Sequence, residues 1–189
     1  QPDFVAGHSY GELLALWRAG VFDADALQRI SLARGRFMDQ ATGPDSGAMA
    51  AVIADQPAVE EMLRGLPDVS IANLNSPRQT VISGPTTAVE RAVEMFIHRG
   101  INAKRIPVAC AFHSPLVEPA QRRLAEFLET VEFKPAQTSV YSNTLGGPYP
   151  GDPAEIRRVL SQQLAQPVRF TQEVESLYAA GARIFVEAG

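Results

Sequence analysis

The first arrangement in this 189-residue chain that could do chemistry is a serine set between two glycines, Gly7-His8-Ser9-Tyr10-Gly11. A serine hydroxyl is a weak nucleophile until a base takes its proton. Three histidines could serve: His8, His98 and His113. His98 sits beside Arg99-Gly100 at the end of a helical pattern and reads as a surface residue near a helix C-terminus. His113 follows small residues and an aromatic in Ala109-Cys110-Ala111-Phe112-His113-Ser114-Pro115. It falls on a loop between elements, from which it either reaches a site or only helps to start the next helix. Ser114 and Pro115 read as the cap and first turn of that helix. A third group, Arg34, shares an apolar helical stripe with Leu27, Ile30 and Phe37. A guanidinium on such a stripe needs an anion to offset its desolvation. That anion is either a protein carboxylate or an acidic substrate group, which the planar fork binds bidentately. Cys110 lies in an apolar run and reads as packing.

The elements that would position these groups follow from pattern. Phe4 to Ala6 is a short apolar run that predicts a buried strand. Leu13, Leu14, Leu16 and Trp17 predict a helix closed by Gly20. Strand, tight turn and helix form the setting in which G-x-S-x-G exposes its serine and points the next N–H, that of Tyr10, at an oxyanion. An ordinary glycine-rich turn would show the same letters. Asp23 caps a predicted helix over 24–40. The segment 42–47, Thr-Gly-Pro-Asp-Ser-Gly, predicts a loop and a subdomain boundary. Between 48 and 108 the patterns run strand, helix, strand, strand, helix, strand, the ferredoxin-like order. Beyond it come a helix from 121, a strand over 139–143, a Gly/Pro loop over 146–151, helices over 154–164 and through 178–180, and a last strand at 184–187.

Composition narrows the class. Apolar residues make up 46% and charged residues 20% of the chain, as in an ordinary globular protein. A net charge of −4 without a basic block argues against nucleic acid as partner. No apolar run reaches the roughly 20 residues of a membrane span, and no signal peptide is recognised. A single cysteine excludes a disulfide framework and fits a reducing, cytoplasmic setting. No Cys/His cluster has metal-ligand spacing, so no metal is expected.

Taken together, the motifs resemble the acyltransferase domain of polyketide synthases, in the malonyl-CoA:acyl-carrier-protein transacylase family. The likeness is carried by Gly7-His8-Ser9-Tyr10-Gly11-Glu12, Arg34-Gly35-Arg36-Phe37-Met38, Asn73-Leu74-Asn75-Ser76-Pro77 with Val81-Ile82-Ser83-Gly84, and Ala111-Phe112-His113-Ser114-Pro115-Leu116. It continues through Tyr141-Ser142-Asn143, Gln163-Leu164, Pro167-Val168-Arg169-Phe170 and Phe185-Val186-Glu187. The tyrosine after Ser9 is similar to iterative synthases of the enediyne or polyunsaturated-fatty-acid type.

The resemblance implies an α/β fold: a hydrolase-like core with a short parallel sheet, over 1–46 and 109–189, and an inserted ferredoxin-like subdomain over 47–108. It implies ping-pong transfer of malonyl from malonyl-CoA to the phosphopantetheine of an acyl carrier protein, with no bound cofactor. Ser9 would be acylated, His113 would be the base, Tyr10 N–H an oxyanion donor and Arg34 the partner of the malonyl carboxylate. Gln163 would orient His113 through its main-chain carbonyl. Phe112 and Cys110 fall where the family reads its extender unit. Phe112 would crowd an α-methyl and favours malonyl, whereas Cys110 stands where malonyl enzymes commonly have histidine. The family's second oxyanion donor, a glutamine, has no counterpart here and is expected upstream of Gln1, with the first part of the core. Flanking synthase domains are expected partners. A G-x-S-x-G serine hydrolase or thioesterase, or an inactive carrier-docking fragment, are the alternatives. The hydrolase would need an acid behind its histidine.

Overall fold

The computed structural model describes residues 2–41 and 45–188. The predicted loop residues Thr42, Gly43 and Pro44 lie outside them, as do Gln1 and Gly189.

Two sheets organise the described chain. The first has three short strands in the order β1-β6-β7, where β1 is Phe4–Val5, β6 is Ser139–Ser142 and β7 is Gly147–Pro148. β1 runs parallel to β6, and β7 antiparallel to it. The expected short parallel sheet is therefore mixed, because the segment read as a loop over 146–151 doubles back on β6 through Gly146, at φ 63°. Around this sheet stand α1 (Gly11–Arg18), α2 (Ala24–Ala41), α5 (Glu118–Leu128), α6 (Pro153–Gln162) and α7 (Phe170–Ala179). Leu16, Ile30, Leu128, Ile156 and Leu164 are fully buried in the core between these elements.

The second sheet is wholly antiparallel, in the order β3-β4-β2-β5. Its strands are β2 (Ala48–Val52), β3 (Ser70–Ser76), β4 (Gln79–Gly84) and β5 (Ala103–Ile106). α3 (Gln56–Leu63) and α4 (Thr86–His98) complete the chain order β2-α3-β3-β4-α4-β5. Side chains alternate across a strand. Ala48, Ala50 and Val52 of β2 accordingly join the core with Val59, Val89 and Phe96 of the helices, whereas Met49 packs with Ala72, Val81, Ile106 and Phe112 on the opposite face. That opposite face turns toward the first unit. Leu74 N–H donates to Val168 O and Val168 N–H to Ala72 O, both at 2.8 Å, which stitches β3 to the segment before α7.

Local chemistry sets the helix ends. Asp23 Oδ1 accepts from Ala26 N–H at 2.8 Å, as its position before α2 predicts. Gly20, Gly100 and Gly181 take positive φ after their helices. Ser114 does not cap with its side chain: its hydroxyl donates to Ala111 O at 2.7 Å, and a 3-10 turn over Pro115–Val117 leads into α5. The strand predicted at 184–187 does not form. A short apolar run fits a buried strand by pattern but needs a neighbouring strand to pair with. Ile184 and Val186 pair with no described strand and stand 87% and 85% exposed.

Candidate active site

Ser9 occupies the turn between β1 and α1, with φ 52°, a left-handed conformation costly to a non-glycine residue. Such strain costs on the order of 1–3 kcal/mol and must be held by its surroundings. The turn is tight because a Cβ on Gly7 would overlap the carbonyl of Gly11, so only glycine serves at position 7. Tyr10 is the residue before α1, and its N–H belongs to the unpaired first turn of that helix. Gly11, Glu12 and Leu13 N–H groups are spent on His8, Ser9 and Tyr10 carbonyls.

His113 lines, with Ser9, Tyr10, Arg34, Met49 and Phe112, a cavity of about 250 Å³. Its Nε2 lies 2.9 Å from Ser9 Oγ. Its Nδ1 faces two main-chain carbonyls, Gln166 O at 2.9 Å and Gln163 O at 3.2 Å. A proton on Nδ1 satisfies both and leaves the Nε2 lone pair toward the serine. The expected orienting carbonyl of Gln163 is therefore shared with Gln166, the nearer of the two. No carboxylate stands behind the ring among the described residues. Burial pushes His113 down to about 4, with the Arg34 charge lowering it further and the two carbonyls opposing. The imidazole is thus neutral at pH 7, as a base must be. Like Ser9, His113 is left-handed, at φ 55°.

Arg34 shares this cavity. Its Nε is buried without a hydrogen-bond partner, and no carboxylate ion-pairs with it among the described residues. Burial lowers its pKa. The guanidinium lies 5.6 Å from the centre of the Tyr10 ring. The Tyr10 hydroxyl is pinned by donation to Ser31 Oγ at 2.8 Å.

The two residues singled out for selectivity separate. Phe112 lines the cavity of Ser9, whereas Cys110 is buried beside it and lines a neighbouring cavity of about 200 Å³ with Met38, Leu116 and Val117. Burial raises the Cys110 thiol pKa. His98 is exposed in the last turn of α4.

Beneath the turn lies a set of residues that pattern alone assigned no role. Asn143, fully buried at the end of β6, accepts from Ser9 N–H at 2.5 Å and donates to Gly7 O at 2.7 Å. Gln163 Nε2 donates to Ser9 O at 2.8 Å. Glu12 is fully buried, and Tyr149 donates to its Oε1 at 2.5 Å. Desolvation raises Glu12 to about 7, against hydrogen bonds that lower it. Glu173 of α7 rises to about 8, through burial first and the neighbouring Glu12 second. Tyr149 is pushed well above the ordinary phenol by burial and by Glu12. At the mouth, His8 Nε2 lies 2.8 Å from Asn75 Oδ1 of β3. Asn143 and Glu12 sit within motifs quoted above. The one signal was for Glu12, a charged residue at the head of an apolar helical run; Asn143, between Ser142 and Thr144, had none.

No group of three or more His, Cys, Asp or Glu among the described residues is placed to hold a metal ion. None of the described helices is long and apolar enough to cross a membrane.

A serine–histidine pair on a strand-turn-helix elbow thus shares its cavity with a guanidinium that has no ion-pair partner among the described residues. The whole chain, residues 1–189, matches the acyl transferase domain family, and it belongs to that family. It is 39% identical to the malonyl CoA-acyl carrier protein transacylase of Bacillus subtilis, covering 100% of this chain and 61% of that protein. It is 38% identical to a polyunsaturated fatty acid synthase polypeptide of a Thraustochytrium species, covering 100% of this chain but 7% of that protein. The chain thus spans less than two thirds of either relative. Among solved structures, the acyltransferase domain of an iterative polyketide synthase in enediyne biosynthesis superposes with TM-score 0.85 at 34% identity, over 93% of this chain and 46% of that one. The acyl-carrier-protein S-malonyltransferase of Burkholderia pseudomallei superposes with TM-score 0.91 at 34% identity, over 96% of this chain and 60% of that one.

Proposed function

We propose that this chain transfers a malonyl group from malonyl-CoA to the phosphopantetheine thiol of an acyl carrier protein through an ester on Ser9. The observation that carries this is the 2.9 Å contact of Ser9 with His113 in the same cavity as Arg34, which has no ion-pair partner among the described residues. Neutral His113 takes the hydroxyl proton as Ser9 Oγ attacks the thioester carbonyl. Tyr10 N–H receives the developing oxyanion at the positive end of α1. Collapse expels the CoA thiolate, and the imidazolium returns its proton to that sulfur. The carrier thiol repeats the sequence in reverse on the acyl-serine. No resident cofactor is needed, because a thioester is already an activated acyl group.

Arg34 holds the malonyl carboxylate in this scheme. Phe112 crowds an α-methyl and favours malonyl over methylmalonyl, although one methyl is worth only about 1–3 kcal/mol. Cys110, outside the cavity lining, acts at most through its neighbours. The strand order β3-β4-β2-β5 supports reading 47–108 as a ferredoxin-like subdomain set into a hydrolase-like unit of 1–46 and 109–189. The small share of the synthase relative that the chain covers supports flanking synthase domains as partners.

Intact-protein mass spectrometry tests the proposal. Malonyl-CoA should leave a malonyl adduct that Ser9→Ala abolishes, and an adduct persisting in that variant moves the nucleophile elsewhere. Arg34→Ala removes the carboxylate's partner. Breaking a buried pair costs about 3–5 kcal/mol, so malonyl transfer should fall by roughly 10²–10³-fold. Acetyl transfer should hold or rise. Equal losses on both esters would remove Arg34 from the substrate.

A further inference from the structure

Asn143 spans the nucleophile turn from below. Its Oδ1 takes the Ser9 N–H and its Nδ2 reaches Gly7 O, so one side chain grips the backbone on both sides of His8. The second Nδ2 hydrogen goes to Glu173 Oε2 at 2.5 Å. Both hydrogens of the amide and one lone pair of its oxygen are thereby engaged. A flipped amide would set its oxygen against both Gly7 O and Glu173 and its NH₂ against the Ser9 N–H. Glu173 comes from α7, and Asn143 from the end of β6, so two elements distant in sequence from the turn fix its shape.

From this geometry we infer that Asn143 and Glu173 are positioning residues for acyl transfer: Glu173 locks the Asn143 amide, and Asn143 holds Ser9 in its left-handed conformation with Oγ on His113. The inference rests on the acyl-transfer reading of Ser9. It carries a second consequence. The Ser9 N–H is consumed by Asn143, so the elbow offers the oxyanion the Tyr10 N–H and not its neighbour. Glu173 is fully buried, and its carboxyl is pushed up to about 8 by burial and by Glu12. At neutral pH it therefore presents a carbonyl oxygen to Asn143, which a glutamine copies and a leucine cannot.

Four variants of the full chain test this: Asn143→Ala, Asn143→Ser, Glu173→Leu and Glu173→Gln. The single-turnover rate of Ser9 acylation by malonyl-CoA is read by quench and intact mass. The KM, the thermal midpoint and the labelling rate of Ser9 by a fluorophosphonate are measured alongside. Asn143→Ala and Glu173→Leu should slow acylation by roughly 10²-fold, the usual effect of displacing a reacting group by about 1 Å. KM should stay near that of the parent, since neither residue lines the substrate cavity. Fluorophosphonate labelling should slow in parallel, and Glu173→Gln should restore most of the rate. Folded variants acylating at the parent rate would overturn the inference. So would a loss confined to KM, or Glu173→Gln being as slow as Glu173→Leu. A merely structural role would lower the thermal midpoint and leave the rate per folded molecule intact. If Asn143→Ala does not fold, Asn143→Ser and the Glu173 pair decide. If the parent reacts with fluorophosphonate but never with malonyl-CoA, the acyl-transfer reading fails. The labelling rates of the variants still judge the positioning.

Discussion

Ser9 and His113 are both non-glycine residues at left-handed φ, yet they are held in opposite ways. Side chains do most of the holding at the serine: Asn143 on its N–H and Gln163, beside the main-chain N–H of Glu12, on its carbonyl, with the carboxyls of Glu12 and Glu173 buried nearby. Main chain holds the histidine. Its Nδ1 faces the Gln166 and Gln163 carbonyls, and its own N–H reaches Leu164 O at 3.3 Å. A main-chain carbonyl survives any substitution that keeps the backbone path, whereas a side-chain amide does not. The nucleophile's geometry is therefore open to mutation, and the base's geometry is largely protected from it.

The largest effect expected is at the base itself. His113→Ala should slow acylation by roughly 10²–10⁴-fold, the worth of a positioned general base. A near-parental single-turnover rate would end its role and with it the comparison. The sharper test lies in the two glutamines. Gln166→Ala leaves its carbonyl in place and should change the rate little. Gln163→Ala keeps the carbonyl too but removes the donor to Ser9 O, about 1 kcal/mol of positioning or roughly five-fold in rate. Equal losses in both would mean that side chains hold the histidine after all.

Burial holds the His113 pKa near 4. The acid limb of the acylation rate should therefore fall near pH 4 and not near the 6.5 of an ordinary imidazole, as a pH–rate series would show. The smallest effect concerns stability beneath the serine. Glu12 keeps its proton in the folded state to about pH 7, against 4.5 when exposed. Between those values the unfolded chain has lost a proton that the folded chain retains, so stability falls as pH rises through that window. Glu12→Gln removes this penalty while leaving Tyr149 an acceptor. Its thermal midpoint should exceed the parent's at about pH 8 and approach it at about pH 4.5. A constant offset across that range would place the burden elsewhere.

The uneven support also explains what the sequence made legible. Ser9, His113 and Arg34 each sit in a local pattern: an elbow, a junction and a stripe. The order of strands and helices from 48 to 106 was legible for the same reason. The grip on Ser9 was not, because Asn143 and Gln163 stand 134 and 154 residues away in the chain. Nor could any letter announce the Gln166 carbonyl, since every residue carries the same main-chain group. Pattern could not separate Phe112 from Cys110, two positions apart on a loop with no fixed period. It also predicted a strand at 184–187 from apolar letters that pair with no strand among the described residues.

The contact between Gly7 and Gly11 has a consequence for how such a chain can change over generations. The turn is a socket whose dimensions are set by backbone touching backbone, with no room for a methyl group at position 7. Exchanging the occupant, oxygen for sulfur in Ser9→Cys, leaves that socket whole. Enlarging Gly7 by one carbon dismantles it. New chemistry at this site is therefore within reach of a single replacement at position 9, while position 7 is closed to gradual variation.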